Sequence, residues 1–265
     1  MNRLLRLGLS IPFALPLYAL LVLLGAISLP WNIAAMLLYP LLPVTTGRAL
    51  GRSAISFAYR FFWAAAQLTG MMRIEADCLD ALAGERGLIL VANHPTMLDA
   101  LLLVARLPRS ACIMKADLMH NIFLGAGARL ARYICNDSAR TMIRLAVQDL
   151  RRGGQLVIFP EGTRTVDPQL NHFRPGVTLI SKLAQAPIQT VFIETDTPYL
   201  RKGWPIWRVP PLPIVVTLRL GERFQPATDS DALMCELEQY FRLHMEQRAT
   251  DASTACQTPR APTLS

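Results

Sequence analysis

Two short polar blocks combine residue types and spacings suited to acid–base chemistry and to anion binding. The first is Asn93-His94-Pro95-Thr96-Met97-Leu98-Asp99. On a regular helix, His94 and Asp99 would point in different directions. Pro95 disfavours helical backbone at His94 and is a good first helical residue, so His94 can lie in a turn below Asp99. The imidazole would then fold back onto the carboxylate, an arrangement typical of a general base, although a chance pairing is the alternative.

The second block is Phe159-Pro160-Glu161-Gly162-Thr163-Arg164. A guanidinium, a threonine hydroxyl and backbone amides beside a glycine are groups that bind phosphate oxygens. Glu161 would orient the arginine or accept a hydrogen bond from a substrate hydroxyl. The alternative is a polar turn that contains a local Glu161–Arg164 ion pair.

Buried strands must hold both blocks in place. Residues 87–92 and 155–159 are continuous apolar runs, the pattern of fully buried strands, and each ends at one of the two blocks. Further strand patterns alternate with helical ones; the strands cover 110–115 and 188–194, and the helices cover 99–106, 137–152 and 175–185. This alternation predicts an α/β fold with a mostly parallel or mixed sheet flanked by helices. Both blocks then lie where such folds place their sites, at the carboxyl ends of strands.

The N-terminal region has the composition of a membrane segment. Residues 7–47 contain no charged side chain, and prolines at positions 12, 16, 30, 40 and 43 interrupt them. We expect a membrane-inserted helical hairpin, or a re-entrant insertion, made of residues 10–29 and 31–39 rather than a single anchor. Arginines before and after the apolar run favour a cytoplasmic position for both ends. A cleaved signal peptide is the alternative, but the run is too long and lacks a clear A-x-A site.

The composition agrees with membrane association and narrows the partners. The chain has 265 residues, of which 52% are hydrophobic and only 17% charged, with a net charge of +8. A basic balance favours anionic partners, but the arginines are too dispersed to predict a nucleic-acid binder. The 5 cysteines include no C-x-x-C pair, so neither a disulfide framework nor a metal site is predicted.

Four segments are predicted along the chain. Residues 1–69 form the membrane-associating segment, which ends in an amphipathic helix over 45–69. Residues 70–225 form the α/β domain, residues 226–248 a C-terminal helix, and residues 249–265 a disordered tail rich in Thr, Ala, Ser and Pro.

Together the two blocks resemble those of the glycerolipid acyltransferases, the lysophosphatidic acid acyltransferase family. The similarity extends over roughly residues 70–225. Secondary blocks of the family have counterparts in Lys115 with Leu118 and Gly125, in residues 173–176, and in residues 186–188.

The resemblance implies a membrane-bound O-acyltransferase at the cytoplasmic face of the inner membrane. His94 would be the base and Asp99 its partner, while the phosphate end of the acceptor would be bound by Glu161, Gly162, Thr163, Arg164 and Lys115. The acyl donor would be a thioester on coenzyme A or on an acyl carrier protein, with no other cofactor. The acceptor would be a lysophospholipid, above all 1-acylglycerol-3-phosphate, and the partners would be the lipid bilayer and an acyl carrier protein.

One departure from the family pattern concerns the acceptor. Asn136 stands where the family usually carries an arginine that helps to hold the acceptor. An acceptor without a phosphate, such as a specialised lipid, is therefore an alternative. A non-catalytic membrane-anchored scaffold is a further alternative, which the intact His94 and Asp99 disfavour.

Overall fold

A computed structural model describes residues 3–165, 170–205 and 208–257. Side chains are described for residues 14–247 of these ranges. The helices are α1 (Arg3–Leu38), α2 (Val44–Leu68), α3 (Asp99–Arg106), α4 (Gly125–Leu130), α5 (Ala139–Arg151), α6 (Gly176–Ala184) and α7 (Ser230–Gln257). The strands are β1 (Met72–Glu75), β2 (Leu88–Ala92), β3 (Ser110–Met114), β4 (Ile134–Cys135), β5 (Gln155–Ile158), β6 (Ile188–Thr195) and β7 (Ile214–Phe224). Short 3₁₀ helices cover Asp77–Leu82 and Ala116–His120.

The described strands form one mixed sheet in the order β1-β7-β6-β2-β5-β3-β4. Neighbouring strands run parallel except for the antiparallel pair of β6 and β7. The predicted α/β fold with a mostly parallel or mixed sheet is therefore confirmed. Strands β2 and β5 are adjacent and parallel, with Leu88 opposite Gln155 and Val91 opposite Ile158. The segments that follow these two strands consequently leave the sheet side by side, which brings the two polar blocks together.

Alternating side chains of β2 divide the core into two layers, because successive residues of a strand point to opposite faces. Leu88, Leu90 and Ala92 pack in one apolar cluster with residues of α1, α2 and α3. Ile89 and Val91 pack in the other cluster with residues of α5, α6 and α7. All five residues of β2 are completely buried. The site therefore rests on a strand that is fixed from both sides.

The N-terminal helix corrects one prediction. Pro30 was expected to end a first helical segment, but α1 continues from Arg3 through Pro30 to Leu38. A proline removes one backbone hydrogen bond and bends a helix, yet the bonds of the adjoining turns can carry the helix onward. The chain reverses direction later, between Leu38 and Val44, and α2 rather than residues 31–39 is the second helix of the hairpin.

Helix α1 has one face on the protein and one face outside it. Leu17, Leu20, Asn32 and Ala35 are buried. The exposed side chains of this helix include Leu15, Val22, Leu29, Ile33, Met36 and Leu37. Its segment Ala14–Leu38 is long and apolar enough to cross a membrane, with a mean hydropathy of 2.0. The buried positions from Leu17 to Ala35 extend over about 27 Å of helix, so the domain packs along most of this segment.

Helix α2 packs on the α/β domain through two of the arginines that flank the apolar run. Arg52 is buried, and its guanidinium donates to the carbonyls of Ala131 and Arg109 and to Oδ1 of Asp149. Arg48 donates to the same carboxylate oxygen at 3.1 Å. The charges of Arg48 and Arg52 are therefore bound within the protein. They give less support to the prediction, made from the flanking arginines, that both ends of the apolar run lie in the cytoplasm.

The C-terminal helix is longer than predicted. Helix α7 continues to Gln257, so the disordered tail predicted from residue 249 is wrong for residues 249–257. The rest of that tail, residues 258–265, lies outside the described residues.

Candidate active site

His94 and Asp99 meet at the carboxyl end of β2. Nδ1 of His94 lies 2.8 Å from Oδ2 of Asp99, which is the first residue of α3. A carboxylate can only accept, so Nδ1 carries the proton of this hydrogen bond and Nε2 is left with a free lone pair. The side chain of Asp99 is 2% exposed and that of His94 is 20% exposed. The buried carboxylate thus orients a ring that still reaches the surface.

Thr96 completes the binding of the Asp99 carboxylate. Its backbone N–H donates to Oδ2 at 2.7 Å, and its hydroxyl donates to Oδ1. Both oxygens therefore have donors from the turn itself. The carboxylate is fixed before any substrate binds, as the orienting member of a catalytic dyad must be.

The second block packs directly on the first. The ring of Phe159 stacks on the ring of His94, with centroids 4.1 Å apart and planes 20° from parallel. Phe159 follows β5 as His94 follows β2, so the parallel pairing of these strands places the two rings face to face. Phe159 thus covers one face of the imidazole ring and limits its rotation.

Thr165 joins the two blocks through the backbone. Its N–H donates to the carbonyl of His94 at 2.7 Å, and its hydroxyl accepts from the N–H of His94 at 2.8 Å. The same hydroxyl donates to Oε1 of Glu161. One threonine therefore fixes the backbone of the candidate base and connects it to a buried carboxylate. Thr165 directly follows the second block and was missed from the sequence, because nothing in a single threonine signals a partner 71 positions away.

The structure gives Glu161 a different role from the one that the resemblance implied. Its side chain is buried, and its second carboxylate oxygen accepts from the N–H and the side-chain amide of Asn171 at 3.0 and 2.7 Å. With Thr165 on the other oxygen, the carboxylate faces the protein rather than an acceptor. It also has no bond to Arg164, so the local ion pair considered from the sequence is absent between these two described residues.

Arg164 is half-buried and is committed in part to the protein. Its Nη1 donates to the carbonyl of Leu200 at 2.9 Å, and the N–H of Met97 donates to the same carbonyl at 3.3 Å. Leu200 itself has a positive φ of 58°. Arg164 thus ties the second block to the segment after β6, and its other guanidinium nitrogens form no hydrogen bond with a described residue.

Arg174 adds a second cation at this loop, although the sequence did not predict it as a substrate-binding residue. A Cβ on Gly162 would lie 2.6 Å from Nε and 2.9 Å from Cζ of Arg174, so the guanidinium crosses directly over the glycine. Gly162 also has a φ of +67°, which favours glycine. The N–H of Arg174 donates to the carbonyl of Pro160 at 2.9 Å. The signal was present in the sequence, since Arg174 belongs to the secondary block at residues 173–176.

The backbone amides of the loop differ in their availability. The N–H of Gly162 already donates to the carbonyl of Phe159 at 3.0 Å. Those of Thr163 and Arg164 form no hydrogen bond with any described residue. The free backbone donors for an anion in this loop therefore include those of Thr163 and Arg164 but not that of Gly162.

The structure does not bring Lys115 into contact with these groups. Lys115 is exposed after β3, and β5 separates β3 from β2. Asn136 is exposed at the sheet edge after β4, where its N–H donates to the carbonyl of Met114 at 2.9 Å. Neither side chain has a hydrogen bond or ion pair within the described ranges, so each is available at the carboxyl edge of the sheet.

A narrow apolar cleft of about 20 Å³ lies beside the dyad. It is lined by Thr96 and Asp99 together with Trp63, Met72, Leu98, Leu102, Thr195, Tyr199, Leu200, Ile214 and Val216. Nε1 of Trp63 and the hydroxyl of Tyr199 are buried there without a described hydrogen-bond partner. Burial raises the pKa of the Tyr199 hydroxyl to about 12, so it is a donor at neutral pH. The dyad therefore borders apolar side chains from α2, α3 and the strands β1 and β7.

Comparison with known proteins agrees with this geometry. Residues 70–194 match the family model described as "Acyltransferase". The chain carries an acyltransferase domain. The matched range extends from β1 into β6 and contains both polar blocks, so the family predicted from the sequence is confirmed. The predicted class of enzyme, an O-acyltransferase, is confirmed with it.

Two relatives and one solved structure have matching names. The chain is 25% identical over 190 residues to the 1-acyl-sn-glycerol-3-phosphate acyltransferase of Pseudomonas aeruginosa, covering 69% of this chain and 72% of that one. It is 24% identical over 127 residues to the putative 1-acyl-sn-glycerol-3-phosphate acyltransferase acl-1 of Caenorhabditis elegans, covering 44% and 47%. The crystal structure of the 1-acyl-sn-glycerophosphate acyltransferase PlsC from Thermotoga maritima has the same fold, with a TM-score of 0.66, 20% identity and coverage of 92% and 98%.

The bridging role of Thr165 leads to a first prediction. Thr165→Val keeps the shape of the side chain but leaves the His94 N–H without its acceptor and Oε1 of Glu161 without its donor. We expect a loss of about 1–3 kcal/mol in the free energy of unfolding, the usual effect of leaving a buried polar group unsatisfied. Acyl-transfer turnover should fall as well, because His94 loses one of the two hydrogen bonds that join its backbone to residue 165. Thermal unfolding and initial rates on the purified protein in detergent measure both effects.

Thr178→Val is the matched control. Thr178 is fully buried in α6, away from the site, and its hydroxyl has one long contact of 3.4 Å to the carbonyl of Pro175. This variant should keep its turnover. Equal behaviour of the two valine variants would contradict the role given to Thr165.

Proposed function

We propose that this protein transfers a fatty acyl group from a thioester to a free hydroxyl of a lysophospholipid, with 1-acylglycerol-3-phosphate as the favoured acceptor. The observation that carries the proposal is the His94–Asp99 pair, whose ring leaves Nε2 free beside the Phe159–Arg164 loop. The names of the relatives supply independent support for the acceptor. No metal ion or covalent enzyme intermediate takes part.

The proposed reaction is a direct transfer between the two substrates. Nε2 of His94 takes the proton of the acceptor hydroxyl while its oxygen attacks the thioester carbonyl. The new C–O bond forms, the C–S bond breaks as the tetrahedral intermediate collapses, and the imidazolium returns the proton to the thiolate. Asp99 keeps the ring in the correct tautomer and stabilises the imidazolium. The free amides of Thr163 and Arg164 are the donors that we assign to the oxyanion.

The acceptor phosphate is proposed to lie between two arginines of the loop. Arg164 contributes the guanidinium nitrogens that Leu200 does not use, and Arg174 contributes the guanidinium above Gly162. The planar guanidinium group of an arginine matches two oxygens of a phosphate, whereas the ammonium group of a lysine acts as a point charge. Arg174 would also supply the charge that is missing at Asn136.

Membrane association is proposed to involve the outer face of α1. Because the domain packs along α1 from Leu17 to Ala35, the helix is better suited to lie in the bilayer interface than to cross it as an isolated span. Both ends of the helix then stay on the cytoplasmic side, next to the active site. The acceptor lipid would reach His94 without leaving the membrane surface.

Replacing His94 tests the chemistry. His94→Ala should lower turnover by about 10²–10⁴-fold, the usual contribution of a general base. His120→Ala, which removes an exposed histidine from the 3₁₀ helix after β3, is the matched control and should retain its rate. Turnover of His94→Ala close to that of the control would contradict the mechanism.

Replacing the arginines tests the acceptor. Arg174→Ala and Arg164→Lys should each raise the KM for lysophosphatidic acid, with a loss of about 1.5–3 kcal/mol, the range of one charged hydrogen bond. The KM for the acyl thioester should change little. Arg219→Ala, at an exposed position of β7, is the control. A raised KM for the acyl thioester with an unchanged KM for lysophosphatidic acid would place the arginines at the donor site instead. Equal use of a neutral lysolipid by all variants would favour an acceptor without a phosphate.

Charges on the outer face of α1 test the membrane proposal. The side chains of Val22 and Ile33 are 71% and 51% exposed, so Val22→Glu with Ile33→Glu should leave the fold intact. It should release the protein from membranes, because charge at the bilayer boundary is costly. Leu243→Glu on α7, where the side chain is 50% exposed, is the control and should stay bound. Membrane flotation measures the result, and equal retention of both variants would contradict the proposal.

A further inference from the structure

The C-terminal helix α7 lies outside the residues that match the family model, yet it contacts the segment that carries Arg174. Phe173 is buried, and its ring packs edge-on against the ring of Phe241, with centroids 5.3 Å apart. Leu237 of the same helix is completely buried in this apolar cluster. The packing keeps α7 beside the segment, but apolar contacts have no direction and do not fix how the chain turns toward Arg174.

A side chain of α7 supplies that direction. Oε2 of Glu238 accepts from the backbone N–H of Phe173 at 3.1 Å. The N–H of the next residue, Arg174, donates to the carbonyl of Pro160 at 2.9 Å. A hydrogen bond prefers a nearly straight N–H···O line, so each bond fixes the orientation of one peptide group. Two successive amides are therefore held by acceptors on two different elements, α7 and the loop after β5.

The position of the Arg174 side chain depends on this backbone. Within the described ranges, its guanidinium forms no hydrogen bond or ion pair that would hold it over Gly162. Pro175 disfavours helical backbone at Arg174, so this residue stays outside α6, which begins at Gly176. The direction in which the side chain leaves the segment is consequently set by the amides of Phe173 and Arg174.

The two oxygens of the Glu238 carboxylate have different partners. Nε and Nη2 of Arg242 both donate to Oε1, at 3.2 and 2.6 Å, which leaves Oε2 for the Phe173 amide. His172 also contacts Oε1, but its side chain is 92% exposed, and such an ion pair contributes little. Burial opposes ionisation, yet the hydrogen bonds from Arg242 and Phe173 outweigh it and lower the pKa of Glu238, so the carboxylate is charged at neutral pH.

The same segment is bound to the candidate site at its other end. The N–H and the side-chain amide of Asn171 donate to Glu161, which in turn accepts from Thr165 beside His94. Residues 171–174 therefore run between a carboxylate of the site and a carboxylate of α7. Glu238 extends the hydrogen-bond network of the site to the C-terminal helix.

From these contacts we infer that Glu238 is a positioning residue of the acyltransferase. By accepting from the N–H of Phe173, it aims Arg174 over Gly162 and thereby sets the affinity for the phosphate of the acceptor. The inference rests on the proposed function, in which Arg174 binds that phosphate. It gives α7 a part in acceptor recognition, although Glu238 acts only through Arg174.

The kinetics of Glu238→Leu test the inference. This variant removes the acceptor of the Phe173 N–H, so Arg174 loses its fixed direction. The KM for lysophosphatidic acid should rise by about three- to tenfold, because part of the contribution of a charged hydrogen bond is lost. The kcat and the KM for the acyl thioester should change by less than about twofold, since only binding of the acceptor is weakened. All variants are measured as the full chain in detergent.

Two control variants lie on the same helix. Glu236→Leu makes the same substitution at an exposed position of α7. Arg242→Leu removes the partner of Oε1 and leaves the carboxylate of Glu238 to bind the amide. Both should keep the KM for lysophosphatidic acid. A role of Glu238 in stability alone would lower the fraction of active enzyme, and hence the apparent kcat, without changing this KM. A normal KM in Glu238→Leu, or the same rise in Arg242→Leu, would overturn the inference.

A double-mutant cycle separates this test from that of the proposed function. In the Arg174→Ala background, Glu238→Leu should cause no further rise in the KM for lysophosphatidic acid, because Glu238 acts through that arginine. If each substitution adds its own rise, the positioning role is wrong and the proposed phosphate site stands. If Arg174→Ala leaves this KM unchanged, the proposed phosphate site is wrong, and acceptor recognition through Glu238 is wrong with it.

Hydrogen exchange measures the positioning itself, without any substrate. Mass spectrometry of peptides that contain residues 171–174 follows the amides of Phe173 and Arg174. They should exchange about tenfold faster in Glu238→Leu than in Glu236→Leu, since a hydrogen bond that limits local opening is lost. Equal exchange in the two leucine variants would overturn the inference, whichever acceptor the enzyme uses.

Discussion

The hydrogen bonds of Thr165 are the constraint on which the site depends. The residue accepts from His94, donates to the His94 carbonyl and donates to the buried Glu161, so two loops from neighbouring strands become one unit. A buried carboxylate is costly without donors, and Thr165 and Asn171 supply them. The hydrogen bond that Thr165 donates to the buried Glu161 therefore also fixes the loop that carries His94.

This arrangement explains why the second block contains groups with different tasks. Phe159 supports the imidazole ring, Glu161 organises the loop, and Arg164 faces both Leu200 and the open site. Gly162 leaves space for Arg174 to cross the loop. The block that was predicted as one phosphate-binding motif is thus divided between residues that build the site and residues that we propose to bind the acceptor.

Local patterns in the sequence predicted much of this architecture. The apolar runs before each block correctly indicated β2 and β5, because strands buried on both faces leave a continuous signal. Pro95 correctly indicated a turn that could join His94 to Asp99. Long-range contacts left no comparable signal: the pairing of Arg52 with Asp149 and the crossing of Arg174 over Gly162 depend on the packing of distant segments. The helix through Pro30 was missed because packing along α1 outweighs the local cost of a proline.

The two faces of the sheet differ in the surfaces that they offer. One carries α1, with apolar side chains outside, and the other carries α5, with arginines outside. The proposed reaction joins a membrane lipid to an acyl group carried in water, and it requires access from both environments. The active edge of the sheet lies where these two faces meet, so neither substrate has to pass through the core.

The central claim is that the pair of His94 and Asp99 transfers an acyl group to the hydroxyl of a lysophospholipid. Mass spectrometry of the products formed by purified protein from an acyl thioester and a panel of lysolipids tests it most directly. The account predicts lysophosphatidic acid that has gained one acyl chain, formed in step with release of the free thiol and lost in His94→Ala. Thioester hydrolysis that leaves every lysolipid unchanged, or the same product formed equally by His94→Ala, would contradict it.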